Sequence, residues 1–210
     1  MENFQLDALG IESRLRSLAA KDTHVDAAIK LVGIPPDRMG EQGFHTFMRV
    51  IVGQQLSVKA AATIRDRVEK LAGAGAGPAQ YAKLSDEELR GAGLSRQKIS
   101  YARSLCETVE AGTLDIAALP HMSNEDAISA ITAVKGLGVW SAHMYLMFSL
   151  GRDDIWPVGD LAVRVGVGRI IGLEDRPTEK ECETIGERWR PYRSVVALLA
   201  WHYYSNAPAI

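Results

Sequence analysis

Thr132-Ala133-Val134-Lys135-Gly136-Leu137-Gly138-Val139-Trp140-Ser141-Ala142 is the stretch that decides how the rest of the chain is read. Helical periodicity precedes it from Ser123-Asn124-Glu125-Asp126 to about Val134, and resumes after it from Val139 to Leu150. Two glycines flanking one aliphatic residue let the backbone turn tightly and approach something large. Leu137 is expected to point inward and fasten the turn. The free N–H groups at the start of the Val139 helix carry the positive end of its dipole, a setting that suits a phosphate. A plain helix–loop–helix closed by a glycine cap would also fit Gly-x-Gly, so the surrounding residues must decide.

Working outward, the periodicity is helical almost everywhere. Ile11–Ala20 and His24–Val32 read as amphipathic helices ended by Gly33 and Pro35-Pro36. Phe44, Phe47, Met48, Ile51 and Val52 form one apolar face. Ser57–Leu71 follows, with Val58, Ala61, Ala62, Ile64, Val68 and Leu71 expected inward. Gly73–Pro78 reads as a loop. Ser85-Asp86-Glu87-Glu88 is a capping-box start for a short helix that Gly91 and Gly93 should end. The helix Ser95–Val109 should bury Ile99, Ala102, Leu105 and Val109 and turn Arg96, Lys98 and Arg103 outward. Beyond Pro157, helices fit Asp160–Ile171, Thr178–Trp189 and Pro191–Ser205. No segment alternates with period two, so the predicted class is all-α.

Composition narrows the function. The chain has 210 residues, 47% hydrophobic and 24% charged, the balance of a folded globule. Its apolar runs, Val139–Leu150 and Val195–Tyr204, are shorter than the roughly 20 residues of a membrane span. The first residues lack a basic segment followed by an apolar one, which predicts a cytoplasmic protein, nucleoid-associated in a bacterium. Two cysteines, Cys106 and Cys182, cannot supply a disulfide framework or the four thiolates of an iron–sulfur cluster. The five histidines show no zinc spacing. A net charge of −2 excludes binding to nucleic acid by bulk charge alone, though not through a local patch and helix N-termini.

Val134–Ala142, followed by an apolar helix and Pro157-Val158-Gly159-Asp160, resembles the helix-hairpin-helix DNA glycosylase superfamily. Further matches fall in order on both sides. Ile51-Val52-Gly53-Gln54-Gln55-Leu56-Ser57 resembles the segment that enters the gap left by a flipped base, and Leu94-Ser95-Arg96-Gln97-Lys98 a family helix start. Trp189-Arg190-Pro191-Tyr192-Arg193-Ser194 and Trp201 resemble the C-terminal region of the 3-methyladenine DNA glycosylase II branch, here in compact form. Bifunctional members of the superfamily place a nucleophilic lysine four residues after the first hairpin glycine. That position is Trp140, so no Schiff-base route is expected.

The resemblance implies two lobes with DNA in the cleft between them. One would be a six-helix barrel over 54–149, the other a discontinuous lobe of 1–53 and 150–210, with Asp160 at the junction. Asp160 would be the catalytic carboxylate, stabilising positive charge on the sugar and orienting water; an N-cap is the ordinary alternative for Asp at a helix start. Asp153 and Asp154 read as solvated residues of a polar turn. Trp201, Trp140 and Met144 would form the base pocket, where aromatic rings suit cationic alkylpurines, against ordinary core packing for both tryptophans. Gln55 is the expected wedge and Gln54 a DNA contact beside it. Lys135, Gly136, Leu137, Gly138 and Ser141 would meet phosphate. Carbonyls of Thr132, Val134 and Leu137 would hold a structural Na+ or K+, and no other cofactor is implied. Arg193 is expected either on DNA or in a salt bridge.

The expected partner is duplex DNA with damaged bases, bound by a monomer, with no membrane partner. The expected reaction is hydrolysis of the bond between an alkylated purine and deoxyribose, leaving the strand uncut. The alternatives are a glycosylase acting on uracil or mismatches, and a non-catalytic helix-hairpin-helix DNA-binding module.

Overall fold

The computed structural model describes residues 4–208, and among them every regular element is helical. The chain divides into two compact units, one of residues 1–40 and 143–210, the other of residues 41–142. The sequence reading cut the chain at 53/54 and 149/150 instead. The physical difference lies in two helices. The Phe44–Gly53 helix packs on the helices that follow it, and the hairpin's second helix changes unit between Ala142 and His143.

The first unit contains α1 (Ala8–Ala19), α2 (Thr23–Val32), α10 (Leu161–Ile171), α11 (Glu179–Gly186) and α12 (Arg193–Asn206). Residues Arg193 to Ala200 of α12 are all buried, because α10, α1 and α2 pack around it. A helix surrounded in this way is apolar on every side rather than along one stripe. Gly166 makes the α10–α12 approach possible: a Cβ there would overlap the backbone of Ala200.

The ion pairs here correct the reading of Asp153 and Asp154 as solvated. Asp153 binds Arg14 at 2.8 Å, and Asp154 binds Arg193 at 2.7 Å and Arg190 at 2.6 Å. Arg193 is 7% exposed, so of its two expected roles the structure shows the salt bridge.

The second unit contains α3 (Phe44–Gly53), α4 (Val58–Ala72), α5 (Pro78–Lys83), α6 (Asp86–Ala92), α7 (Arg96–Glu110) and α8 (Asn124–Thr132). Ser57, Ser95 and Ser123 cap α4, α7 and α8 through their hydroxyls. The Ser85–Glu88 capping box forms in both directions, at 3.2 and 2.7 Å. Gly93, not Gly91, ends α6 in a left-handed conformation.

Helix α5 went unread in the sequence. It is only six residues long, started by Pro78 at a first-turn position, and held by Arg103, which donates to the carbonyls of Tyr81, Ala82 and Leu84. Arg103 is therefore not on a solvated face, and neither is Lys98, whose ammonium donates to the Val52 carbonyl at 2.7 Å. On α4, Val58 is 90% exposed and Leu71 also faces solvent, while Val68 is buried. Of the six residues expected inward only Val68 is buried, and Ala61, Ala62 and Ile64 are half-buried. Val109 is half-buried at the end of α7, and Cys106 takes the buried position beside Leu105.

Candidate functional site

In the first unit, the loop after Trp156 turns through the bond from Asp160 N–H to the Pro157 carbonyl, 2.9 Å, and delivers Asp160 to the start of α10. One carboxylate oxygen, Oδ1, accepts from the amides of Ala162 (2.9 Å) and Val163 (3.1 Å), as an N-cap does. The same oxygen accepts from the Trp201 indole N–H at 3.1 Å. Hydrogen bonds to an ionised acceptor are the stronger kind, so three donors on one oxygen fix the direction of this carboxylate. The two readings of Asp160 are thus not exclusive: it caps the helix, and it is aimed by a tryptophan from α12.

Trp201 is half-buried and is not a core residue. Its ring lies 5.9 Å from that of Phe148, tilted by 33°. Phe148 was missed in the sequence, where it is one apolar residue in an apolar run. The run Val139–Leu150 is not one regular helix: α9 covers Val139–Met144, and Tyr145–Ser149 forms a π-helical turn. A π turn carries an extra residue and rotates the side chains that follow it, and such turns gather at functional sites. Here it sets Phe148 against Trp201, while the Phe148 carbonyl accepts the Gly40 amide at 2.7 Å. Met144 is half-buried at the start of the turn. Beside it, burial lowers the pKa of His143, and the positive charge of Arg193 lowers it further.

The other candidate residues lie in the second unit. Leu137 is 3% exposed, the inward plug the sequence predicts, and its N–H closes the turn onto the Val134 carbonyl at 3.0 Å. Gly136 has φ +92°, and a Cβ there would overlap the Tyr101 ring, so both its conformation and its space require glycine. Gly138, Val139 and Trp140 are exposed, Trp140 at 49%, so the latter is not packed in a core. Lys135 is exposed, and its Nζ donates to Ser100 Oγ at 3.0 Å. Ser141 is buried in the first turn of α9, so its side chain is not on the surface with the hairpin glycines. Thr132 closes α8 with its hydroxyl on the Ile128 carbonyl, 2.8 Å, and Val134 is buried.

Between α3 and α4 the two glutamines separate sharply. Gln54 is half-buried, and its Nε2 donates to the Gly136 carbonyl at 2.8 Å. That amide is turned toward the hairpin and not toward solvent. Gln55 is exposed with φ 55°, and among the described residues it alone shows positive φ without being glycine. A left-handed conformation costs a residue of this kind about 1–2 kcal/mol, a strain characteristic of functional turns.

Residues 48–191 match the family described as HhH-GPD superfamily base excision DNA repair protein. DNA-3-methyladenine glycosylase 1 of Schizosaccharomyces pombe is 31% identical over 190 residues, covering 88% of this chain and 83% of the relative. A longer Bacillus subtilis relative is 28% identical over 165 residues; the match covers 75% of this chain, which spans 58% of that protein. Among solved structures, a DNA-3-methyladenine glycosidase from Bacillus halodurans matches with a TM-score of 0.82 at 37% identity, over 92% of this chain and 89% of the other. The Schizosaccharomyces pombe 3-methyladenine DNA glycosylase in complex with abasic DNA matches with a TM-score of 0.82 at 29% identity, over 94% and 99%. With its all-helical fold, its Lys135–Gly138 hairpin and its capped Asp160, this chain belongs to the HhH-GPD superfamily of base excision DNA repair proteins.

Proposed function

We propose that the chain is a monofunctional DNA glycosylase that removes alkylated purines from duplex DNA by hydrolysing the N-glycosidic bond, leaving an abasic site in an uncut strand. The observation that carries this reading is the Asp160 carboxylate, aimed by the amides of Ala162 and Val163 and by the Trp201 indole. As the bond breaks, positive charge grows on the sugar, and a fixed carboxylate stabilises it without reorganising at the moment of reaction. Alkylated purines are cationic and electron-poor, so the leaving group needs little acid assistance. Selection then falls to aromatic faces, for which Trp201 backed by Phe148, Trp140 and the softer Met144 are the candidates. Trp140 occupies the position where a strand-cutting relative carries its lysine, which supports hydrolysis without a Schiff base.

The second unit supplies the grip. Exposed Gly138 and Lys135 would meet phosphate, with Leu137 anchoring the turn from within. Gln55, exposed and held in a strained turn, is the candidate to fill the gap left when the damaged base leaves the stack. The carbonyls of Thr132, Val134 and Leu137 would be the donors to a Na+ or K+, the Val134 oxygen with the lone pair left beside its bond from the Leu137 amide, and such an ion would stiffen the hairpin.

The test uses duplex DNA treated with a methylating agent, chromatography of released bases, and a nicking gel without alkali. Wild type is expected to release 3-methyladenine and 7-methylguanine without nicking, and Asp160→Asn to lose about 10²–10³-fold in single-turnover rate. Binding without release would redirect the search to uracil and mismatched duplexes. Failure there as well would establish a non-catalytic binding module.

A further inference from the structure

We infer that Gln54 and Lys98 are positioning residues that lock the Gln55 turn and the hairpin into one rigid frame, so that base displacement is registered against the phosphate grip. The inference rests on the proposed roles of Gln55 and the hairpin, and its geometry lies wholly within the second unit.

The strained residue, Gln55, is clamped from the chain just before it. Two bonds hold that stretch. The Lys98 ammonium donates to the Val52 carbonyl at 2.7 Å, and the Gln54 amide donates to the Gly136 carbonyl at 2.8 Å. The Lys98 bond satisfies a carbonyl in the last turn of α3, where the helix dipole also favours a cation. The Gln54 bond ties the same turn directly to the hairpin. Both side chains are half-buried, so water competes weakly for either bond.

Helix α7 completes the frame from beneath. Lys98, Tyr101 and Ser104 follow each other at three-residue spacing along one face. Lys98 reaches the last turn of α3, three residues before Gln55, while Tyr101 packs under Gly136 so closely that no side chain fits between them. Ser104 Oγ accepts the Lys135 amide at 3.3 Å, and Ser100 Oγ accepts Lys135 Nζ at 3.0 Å. Gln97 in turn donates to the Tyr101 hydroxyl. The end of α3, Gln54, the hairpin, α7 and Lys98 therefore form a closed circuit. Neither the turn nor the hairpin can shift without breaking a bond to the other. This gives a physical role to the Leu94–Lys98 motif, which contributes no group to the candidate chemistry.

The experiment compares wild type with Gln54→Glu, which replaces the N–H donor by an acceptor, and Lys98→Met, which keeps the stem and removes the charge. Gln54→Asn, one methylene short, stands in if Gln54→Glu fails to fold. In free protein, amide hydrogen exchange is followed over residues 54–57 and 135–138, together with thermal unfolding. Each substitution is expected to speed exchange about tenfold or more in both segments at once, while the other segments of the second unit speed up only as far as the fall in melting temperature accounts for. In single-turnover base release from methylated duplex, Gln54→Glu should be about 30-fold slow, and combined with Gln55→Ala it should be no slower than Gln55→Ala alone, because both act through one residue. Faster exchange in one segment only, or multiplying rate losses, would overturn the frame. If wild type releases no base, the proposed reaction fails, while the exchange comparison still decides for or against the frame.

Discussion

Asp160 caps α10 with the same oxygen that receives the Trp201 indole, so a substitution has to be chosen to separate the two roles. Asn caps a helix about as well as Asp, whereas Ala costs about 1 kcal/mol of helix stability. Asp160→Asn should therefore melt within a few degrees of wild type while losing activity, and Asp160→Ala should lose both. Trp201→Phe keeps a smaller ring beside Phe148 and deletes the N–H donor. Its expected effect is a fall of about tenfold in single-turnover rate at nearly unchanged substrate affinity, as for loss of one charge-assisted hydrogen bond. Trp201→Ala should weaken affinity as well, and a fluorescence titration with methylated duplex measures that difference.

At the scale of elements, the hairpin depends on one residue that cannot be replaced. Gly136→Ala brings both a disfavoured backbone conformation and an overlap with the Tyr101 ring. A loss of at least about 2–3 kcal/mol is expected, read as a lower urea midpoint, with weaker binding to undamaged duplex. For stability alone, Gly138→Ala is the control, since a Cβ there meets no protein atom within 4 Å. Elements also show which features were legible beforehand. The serine caps of α4, α6, α7 and α8 are written in the chain because a cap is a bond across three residues. Helix α5 and the π turn were not, because the first is held by Arg103 from another helix and the second exposes its purpose only against Trp201.

At the scale of the whole molecule, the buried ion pairs of the first unit set its response to acid. Burial alone would raise the pKa of Asp154, but the hydrogen bond and charge of Arg193, its backbone amide and Arg190 together hold it below the ordinary carboxylate range. Asp22 is lowered too, burial being outweighed by the Trp189 indole, the amides of Val25 and His24, and Arg188. Groups with depressed folded pKa values contribute stability that is present above their unfolded pKa, about 4, and lost as pH falls through the folded value. Asp153 works the other way, since burial raises it despite Arg14. Asp154→Asn should lower the melting temperature at pH 7 by roughly 3–6 °C, since Arg193 loses its shortest partner but keeps Glu183 at 3.3 Å and Glu187 at 3.6 Å. It should also flatten the wild-type decline between about pH 5 and pH 2, and melting curves across that range check the sign.

What the chain determined by itself is what short-range chemistry can specify. Helical periodicity, capping serines, the Lys135–Gly138 turn and the Asp160 cap are relations among residues a few positions apart, and each is present in the fold. What only the tertiary structure decided are bonds between distant residues. Trp201 reaches Asp160 across 41 positions and Gln54 reaches Gly136 across 82. Lys98 and Arg103 turn inward to carbonyls that periodicity cannot locate, and Asp154 meets Arg193 from 39 positions away. The reason is that a helical pattern specifies which face is apolar, whereas a polar side chain's partner depends on which helix end the packing brings beside it.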